Sequence, residues 1–267
     1  MTEAASAFQV YKPGGALAPF VAFFWSCDRY VARHASERVL PSGTADVIFR
    51  GDDWRGLNGW LIGPRSRYVT ISTELPFTAV GIHFRAGGAY PFLGGATVDL
   101  VDASAPLVDL WGVAADDMSE HLSCAASPEE RFRVLEQMLL ARLSERLVPR
   151  PSTCAALDLF HRSGGLISVG AVVDRIGVPR RRFVDEFRSE VGLSPKTFCR
   201  LRRFSAVLHR ITSMHDPSWS DVAHAVGYWD QAHFNHDFRE FCGLTPTEYL
   251  ARRVAPTHVA AAEAGSR

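Results

Sequence analysis

Residues 174–195, "DRIGVPRRRFVDEFRSEVGLSP", return in altered form at 225–246 as "AVGYWDQAHFNHDFREFCGLTP". Val172, Ile176 and Gly177 recur fifty residues on as Val222, Val226 and Gly227. Phe183, Phe187, Gly192, Leu193, Pro195 and Phe198 recur fifty-one residues on as Phe234, Phe238, Gly243, Leu244, Pro246 and Tyr249, so one residue is inserted in between. In each unit the spacing predicts a helix that stops at a glycine, a tight turn, and a second helix that stops at Gly-Leu-Ser-Pro or Gly-Leu-Thr-Pro. Glycine suits the stop because it takes the left-handed backbone at no steric cost. Helix, short glycine turn, helix is the layout of a helix-turn-helix. Phe183 and Phe187, then Phe234, Phe238 and Phe241, fall at helical spacing. They anchor one face of each second helix and leave its other faces free.

Upstream the period changes. "FVAFFWSC" (20–27), "ADVIFRG" (45–51), "GWLIG" (59–63), "RYVTIST" (67–73) and "FTAVGIHF" (77–84) are short runs of β-branched and aromatic residues between Gly, Pro, Ser and Asp clusters. They predict a small β-barrel or sandwich. "RAGGAYPFLGG" (85–95) is too glycine-rich for a good helix or strand and predicts a loop. It lacks the G-x-x-x-x-G-K-[ST] of a phosphate cradle. "SPEERFRVLEQMLLARLSERL" (127–147) predicts a helix, with Ser127 and Glu130 as a capping box and Pro128 at the first helical position. Its apolar face (Phe132, Leu135, Met138, Leu139, Leu143) is expected to pack on the chain's own sheet or on a second copy. "VPRPS" (148–152) reads as a linker. The fold expected is α+β in two domains. Residues 1–149 form a β-barrel or sandwich with accompanying helices, and residues 150–267 an all-α tandem helix-turn-helix with its core at 166–253 and a disordered tail.

Charge divides along the same line. Residues 1–149 hold 13 Lys and Arg against 17 Asp and Glu, and residues 150–253 hold 15 against 11, with six histidines besides. The basic half is the one suited to nucleic acid. Cys27, Cys124, Cys154, Cys199 and Cys242 are odd in number, scattered, and form no C-x-x-C, which predicts reduced thiols rather than disulfides or a zinc site. No run of eighteen apolar residues and no secretory pattern at the N-terminus occurs, so the expected compartment is the cytoplasm, with no membrane involved.

"AHAVGYWDQAHFNHDFREFCGLTPTEYLARR", "VVDRIGVPRRRFVDEFRSEVGLSPKTF" and the connecting "FCRLRRFSAVLHRI" (198–211) together resemble the C-terminal DNA-binding domain of AraC/XylS-type transcription regulators. The resemblance covers about a third of the chain, residues 166–253. "LPSGTADVIF", "GIHFRAGGAYPFLG" and "PLVDLWG" resemble a sensor-like N-terminal domain that accompanies such domains in one subgroup. In a helix-turn-helix the second helix lies in the major groove with its N-terminal side chains at the base edges. The resemblance therefore implies DNA contact by Arg180, Arg181, Val184, Asp185 and Arg188, with Arg181, Val184 and Asp185 nearest the bases. An arginine fork suits guanine O6 and N7. Asp185, four residues after Arg181, is expected to hold that guanidinium or to accept from cytosine N4. Taken alone, an Arg-Arg-Arg-Phe helix start reads as a solvated face, since cations there oppose the helix dipole; the tandem motif tips the reading to DNA.

In the second unit Gln231, Ala232, Asn235 and His236 hold the equivalent positions, and His233 is expected to pack or to meet phosphate. On the connecting helix Arg202 and Arg203 are candidate phosphate contacts beside Arg200 and Arg210, while Phe198, Leu201, Phe204, Val207, Leu208 and Ile211 form its core stripe. A rigid connecting helix would hold the reading helices about 34 Å apart, one turn of DNA. The sequence departs from the family's serine N-caps at Pro179 and Trp229. Asp230 is expected to cap the second helix one position later, and the first is expected to fray.

The partners implied are double-stranded DNA, with RNA polymerase, a small-molecule effector and a second copy as further candidates; no cofactor and no metal is implied. Three readings of the N-terminal half stand. It senses a small molecule, with Trp25, Trp60, Arg65, His83 and Arg85 as candidate pocket residues. It only pairs subunits or meets a protein. Or it is an enzyme tethered to DNA, which needs an activated cysteine; the contexts of Cys27 and Cys124 offer none, and the expectation is no enzyme.

Overall fold

The computed structural model describes residues 8–31, 36–143, 147–212, 214 and 216–252. The described strands are β1 (Gln9–Tyr11), β2 (Val21–Tyr30), β3 (Ser36–Val39), β4 (Asp46–Gly51), β5 (Asn58–Ile62), β6 (Val69–Ser72), β7 (Phe77–Phe84) and β8 (Ser104–Pro106). Six form an antiparallel sheet in the order β1-β2-β7-β4-β5-β8, while β3 and β6 pair as a separate ribbon. The expected barrel is thus corrected to an open sheet. Its edges, β1 and β8, are three residues each, and β8 ends in Pro106, which has no N–H to extend a ladder. The glycine-rich segment expected as a loop contains a helical turn, α1 (Tyr90–Leu93), followed by α2 (Ala96–Asp99). Phe92 in α1 packs on Phe84 and Phe20, and this burial overrides the weak local propensity.

Three more helices complete this half: α3 (Val108–Trp111), α4 (Val113–Cys124) and α5 (Pro128–Arg142). In α5 the Ser127 hydroxyl accepts from the Glu130 N–H at 3.2 Å, and the Glu130 carboxylate accepts from the Ala126 N–H at 2.8 Å. Phe132, Leu135 and Leu139 are buried with Met118 and Leu122 of α4 against Phe24, Phe49, Leu61, Val80 and Ile82 of the sheet, and Met138 and Leu143 pack at the margin. The apolar face of α5 therefore covers the chain's own sheet and is not free to pair subunits. Residues 144–146, the rest of the helix expected to reach 147, and the expected tail at 253–267 lie outside the described residues.

The remainder is helical: α6 (Pro151–Arg162), α7 (Val169–Ile176), α8 (Arg180–Val191), α9 (Pro195–Ile211), α10 (Trp219–Ala225), α11 (Gln231–Cys242) and α12 (Pro246–Arg252). No helix among the described residues is long and apolar enough to cross a membrane. Phe160, Val172, Phe183, Phe187 and Phe198 form the core of the first repeat unit. Phe204, Val222, Tyr228, Phe234, Phe238 and Phe241 form that of the second. The long helix α9 enters both, giving Phe198 to the first and Leu201, Phe204, Val207 and Ile211 to the second.

The N-terminal half holds the far ends of α8 and α11. Each ends at a glycine with positive φ, Gly192 (+90°) and Gly243 (+71°). One segment, Pro64–Tyr68, covers both: a Cβ on Gly192 would sit 2.7 Å from Pro64 Cγ, and one on Gly243 would run into the Tyr68 ring. Asp102, itself at φ 58°, braces that segment by accepting from the Ser66 N–H (2.7 Å) and hydroxyl (2.5 Å). Arg38 of β3 stacks on Tyr68 and donates from Nη1 to the Cys242 carbonyl at 2.9 Å, satisfying an orphan acceptor in the last turn of α11. Gly43 lies against Leu201 and Leu193. Gly243→Ala is expected to destabilise the chain by about 1 kcal/mol for the left-handed backbone and further for the collision. In a Tyr68→Ala background the second part should vanish. Urea unfolding of the four chains checks this, and strictly additive losses would contradict the contact.

Candidate nucleic-acid interface

Local sequence sets how each reading helix starts. Asp230 accepts from the His233 N–H at 2.7 Å and caps α11, as expected. Pro179 precedes α8 with no side-chain cap, leaving only proline's preset φ. Gly177 (φ 71°) and Gly227 (φ 78°) make the turns. The preceding helices are capped by Ser168 and Ser218, and α9 by Ser194, each hydroxyl accepting an N–H three residues on.

With Phe183 and Phe187 buried, Arg180, Arg181, Asp185 and Arg188 are exposed and Val184 is half-buried. The ion pair on this helix is Arg182 with Glu186 at 2.8 Å. Of the two roles expected for Asp185, holding Arg181 or accepting from a base, the first is not seen: the two form no ion pair among the described residues, and both side chains are exposed. On α11, Gln231, Ala232, Asn235 and His236 are exposed while Phe234, Asp237, Phe238 and Phe241 are buried. His236 lies 3.5 Å from Glu240 across one turn. His233 sits edge-on to Tyr228 at 5.2 Å, which fits packing.

The connecting-helix arginines divide. Arg202 and Arg203 are half-buried, their Nε atoms enclosed without a hydrogen-bond partner, and the Arg203 guanidinium lies over the Tyr228 ring at 5.1 Å. Their stems are thus committed to packing, and any phosphate contact falls to the guanidinium tips. Arg200 is wholly structural. Its Nη2 donates to Asp237 Oδ1 and Glu240 Oε2, each at 2.6 Å, tying α9 to α11. Burial works against its charge, but the bonds to Asp237 and Glu240 outweigh this and hold it above the usual arginine value. Burial, then the neighbouring Asp237, likewise pushes the Tyr228 phenol up. Nothing in the local sequence distinguishes Arg200 from its neighbours, because its partners lie 37 and 40 residues away.

The candidate pocket residues of the N-terminal half fall in different places. Cross-strand register puts Trp25, Gly81, Ile48 and Trp60 in one row, and Phe23, His83 and Asp46 in the next, on the sheet face away from α5. Trp25 is buried over Gly81, whereas Trp60 is 41 % exposed. His83, a candidate pocket residue beside Arg85, is buried. Its Nδ1 lies 2.6 Å from Asp46 and its Nε2 3.3 Å from Thr44. The strand stops at Phe84, so alternation does not carry on to Arg85, which is exposed and donates to the Ala18 carbonyl. Arg65 lies in the segment that covers Gly192 and Gly243. A cleft of about 360 Å³ opens elsewhere, lined by Gln9, Ser26, Asp28, Trp54, Pro128 and Arg131 among others, and by none of the five candidates. Arg131 stacks on Trp54 at 3.4 Å; its place four residues before Leu135, on the buried side of α5, was the available sequence signal.

Burial raises the Cys27 thiol to about 12 and the Cys199 thiol to about 11, the reverse of activation.

Residues 172–252 match the family described as helix-turn-helix domain, and residues 9–106 match a domain of unknown function (DUF6597). No curated protein matches the chain. Among solved structures, an AraC-type transcriptional regulator from Chromobacterium violaceum is 22 % identical with a TM-score of 0.35, over 40 % of this chain and 96 % of that one. The xylose-binding transcription activator xylR is 16 % identical at 0.32, over 46 % of this chain and only 38 % of that one. ToxT from Vibrio cholerae O395, bound to (E)-4-(8-methylnaphthalen-1-yl)but-3-enoic acid, is 11 % identical at 0.43, over 93 % and 96 %. These TM-scores carry no argument, and what is established is the two domain matches over residues 9–106 and 172–252.

Arg200→Ala should cost about 3–5 kcal/mol, because it leaves Asp237 buried and unpaired, whereas Arg181→Ala should stay within about 0.5 kcal/mol; thermal unfolding separates them. A thiol reagent near neutral pH should label Cys124 and leave Cys27, Cys199 and Cys242 unreacted until the chain is denatured. The chain thus carries a helix-turn-helix domain over residues 172–252, joined to a domain of unknown function over residues 9–106.

Proposed function

We propose that this protein is a sequence-specific, DNA-binding transcription regulator that places α8 and α11 in successive major-groove turns on one face of the duplex. The observation that carries the reading is the pairing of two such helices on one shared beam, α9, each with its aromatic face buried and its polar N-terminal face exposed. Arg180, Arg181, Val184, Asp185 and Arg188 face DNA in the first unit, and Gln231, Ala232, Asn235 and His236 in the second. The first, richer in arginine, reads guanines; the second reads through amide hydrogen bonds and close apolar contact. Arg202 and Arg203 touch phosphate with their tips. The chain divides near residue 150.

The N-terminal half modulates this activity in our reading. The contacts of Gly43, Pro64, Tyr68 and Arg38 with the C-terminal region offer a route by which a small molecule bound in the first half would change the grip on α8 and α11. A half that serves only to pair subunits is the second reading, but burial of the α5 face leaves it without the surface first expected to serve. The thiols do not favour an enzyme.

Selection of bound duplexes from random DNA by the full-length protein should enrich two blocks about one helical turn apart. Anisotropy titrations on that DNA should show affinity falling steeply with salt. Arg181→Ala should relax preference at one base pair and lose about 1–3 kcal/mol on the selected sequence, with little loss on random DNA. Equal losses on both would count against base reading, and enrichment of nothing would sink the proposal.

A further inference from the structure

We infer that Trp229 is a DNA-contacting residue of the second reading unit, set to lie against the apolar edge of a nucleotide beside those that α11 faces; this rests on the DNA-binding reading above. The two units differ by one residue, and the structure locates it. In the first unit the helix start, Pro179, comes two residues after Gly177; in the second, Asp230 comes three after Gly227. Val178 packs at the margin of the first core. Tyr228 packs within the second core, 3 % exposed, with its ring against Phe234 and His233 and its phenol beside Asp237. Tyr228 therefore corresponds to Val178, and the extra residue is Trp229. It is 88 % exposed, more than any other large apolar side chain among the described residues.

An indole held in water at the tip of a turn gives the fold no burial energy. The turn is nonetheless stiff, because Tyr228 is anchored on one side and Asp230 is engaged as the helix cap on the other. Trp229 stands two residues before Gln231 and three before Ala232, the first exposed residues of α11, so a duplex approached by those residues comes close to this turn as well. The Asp230 carboxylate beside it disfavours a phosphate, and indole offers a flat apolar face and a single N–H donor. The matching surface on DNA is a thymine methyl or a deoxyribose edge rather than the charged backbone.

The test uses full-length protein and the duplex selected above. Trp229→Ala should bind about ten- to a hundredfold more weakly, the worth of burying an aromatic of this size. Its unfolding temperature should be unchanged, and the slope of affinity against salt should not move, since no charge is removed. Trp229→Phe should recover most of the loss. Replacing thymine by deoxyuridine in the second block should weaken the wild type and not Trp229→Ala if the methyl is touched; a loss in Trp229→Ala with no uracil effect places the contact on the sugar. Wild-type-like binding by Trp229→Ala would overturn the inference while leaving the regulator intact. So would intact DNA binding with loss of a concentration-dependent self-association, which would give the indole to a second copy. A wild type that selects no sequence would remove the reading beneath it instead.

Discussion

A helix can offer one face to DNA with defined geometry only if its opposite face is fixed, and here phenylalanine burial does the fixing. Phe183 and Phe187 hold α8, and Phe234, Phe238 and Phe241 hold α11, all of them essentially inaccessible to solvent. The rings meet edge-on or tilted, Phe160 with Phe187 and Phe204 with Phe238 and Phe241, which adds directionality to burial. Everything proposed about reading depends on this anchoring, because the exposed side chains of α8 and α11 take their directions from it. The connecting helix α9 then relates one anchored helix to the other, and the Arg200–Asp237 pair fixes α9 to α11 where apolar packing alone would allow rotation.

The N-terminal half bears on the opposite ends of the same helices. Its contacts fall on Gly192 and Gly243, the positions where the chain has no side chain and a neighbouring backbone can come closest. A single braced segment, Pro64–Tyr68, reaches both, so it touches the C-terminal ends of α8 and α11 together. Arg38 adds a charge-favourable cap at the C-terminal end of α11. This geometry connects the N-terminal domain to α8 and α11 by direct contact.

What the sequence made legible followed the range of the interactions concerned. The glycine turns, the aromatic anchors and the capping box of α5 all rest on residues within a few helical turns of one another, and the tandem units on the recurrence of those local patterns; all are present. Asp230 as the cap of α11 was legible for the same reason. The failures were long-range. Whether β1 and β8 pair to close a barrel depends on edges some ninety residues apart, and the sheet is open. The face of α5 had two eligible partners, and only the fold shows that it covers the sheet. His83 was offered as a pocket residue, and only the fold shows it buried against Asp46 and Thr44, 37 and 39 residues away. Arg200, Arg202 and Arg203 look alike in sequence, yet Arg200 is held by two carboxylates across the helix pair. The exposure of Trp229 was equally hidden, since the inserted residue cannot be assigned to a position until the helix starts are known.

The central claim is that one chain reads two groove segments as a rigid unit. Its most direct test changes the DNA rather than the protein: insert about 5 bp, half a helical turn, between the two blocks of a selected duplex. The protein should then bind no better than it binds a duplex with a single intact block, because the second helix would face the wrong side of the double helix. A further insertion to about 10 bp should not restore the affinity, since α9 cannot stretch by a full turn. Undiminished binding at either spacing would contradict the account, showing that the two reading helices move independently or that only one of them reads.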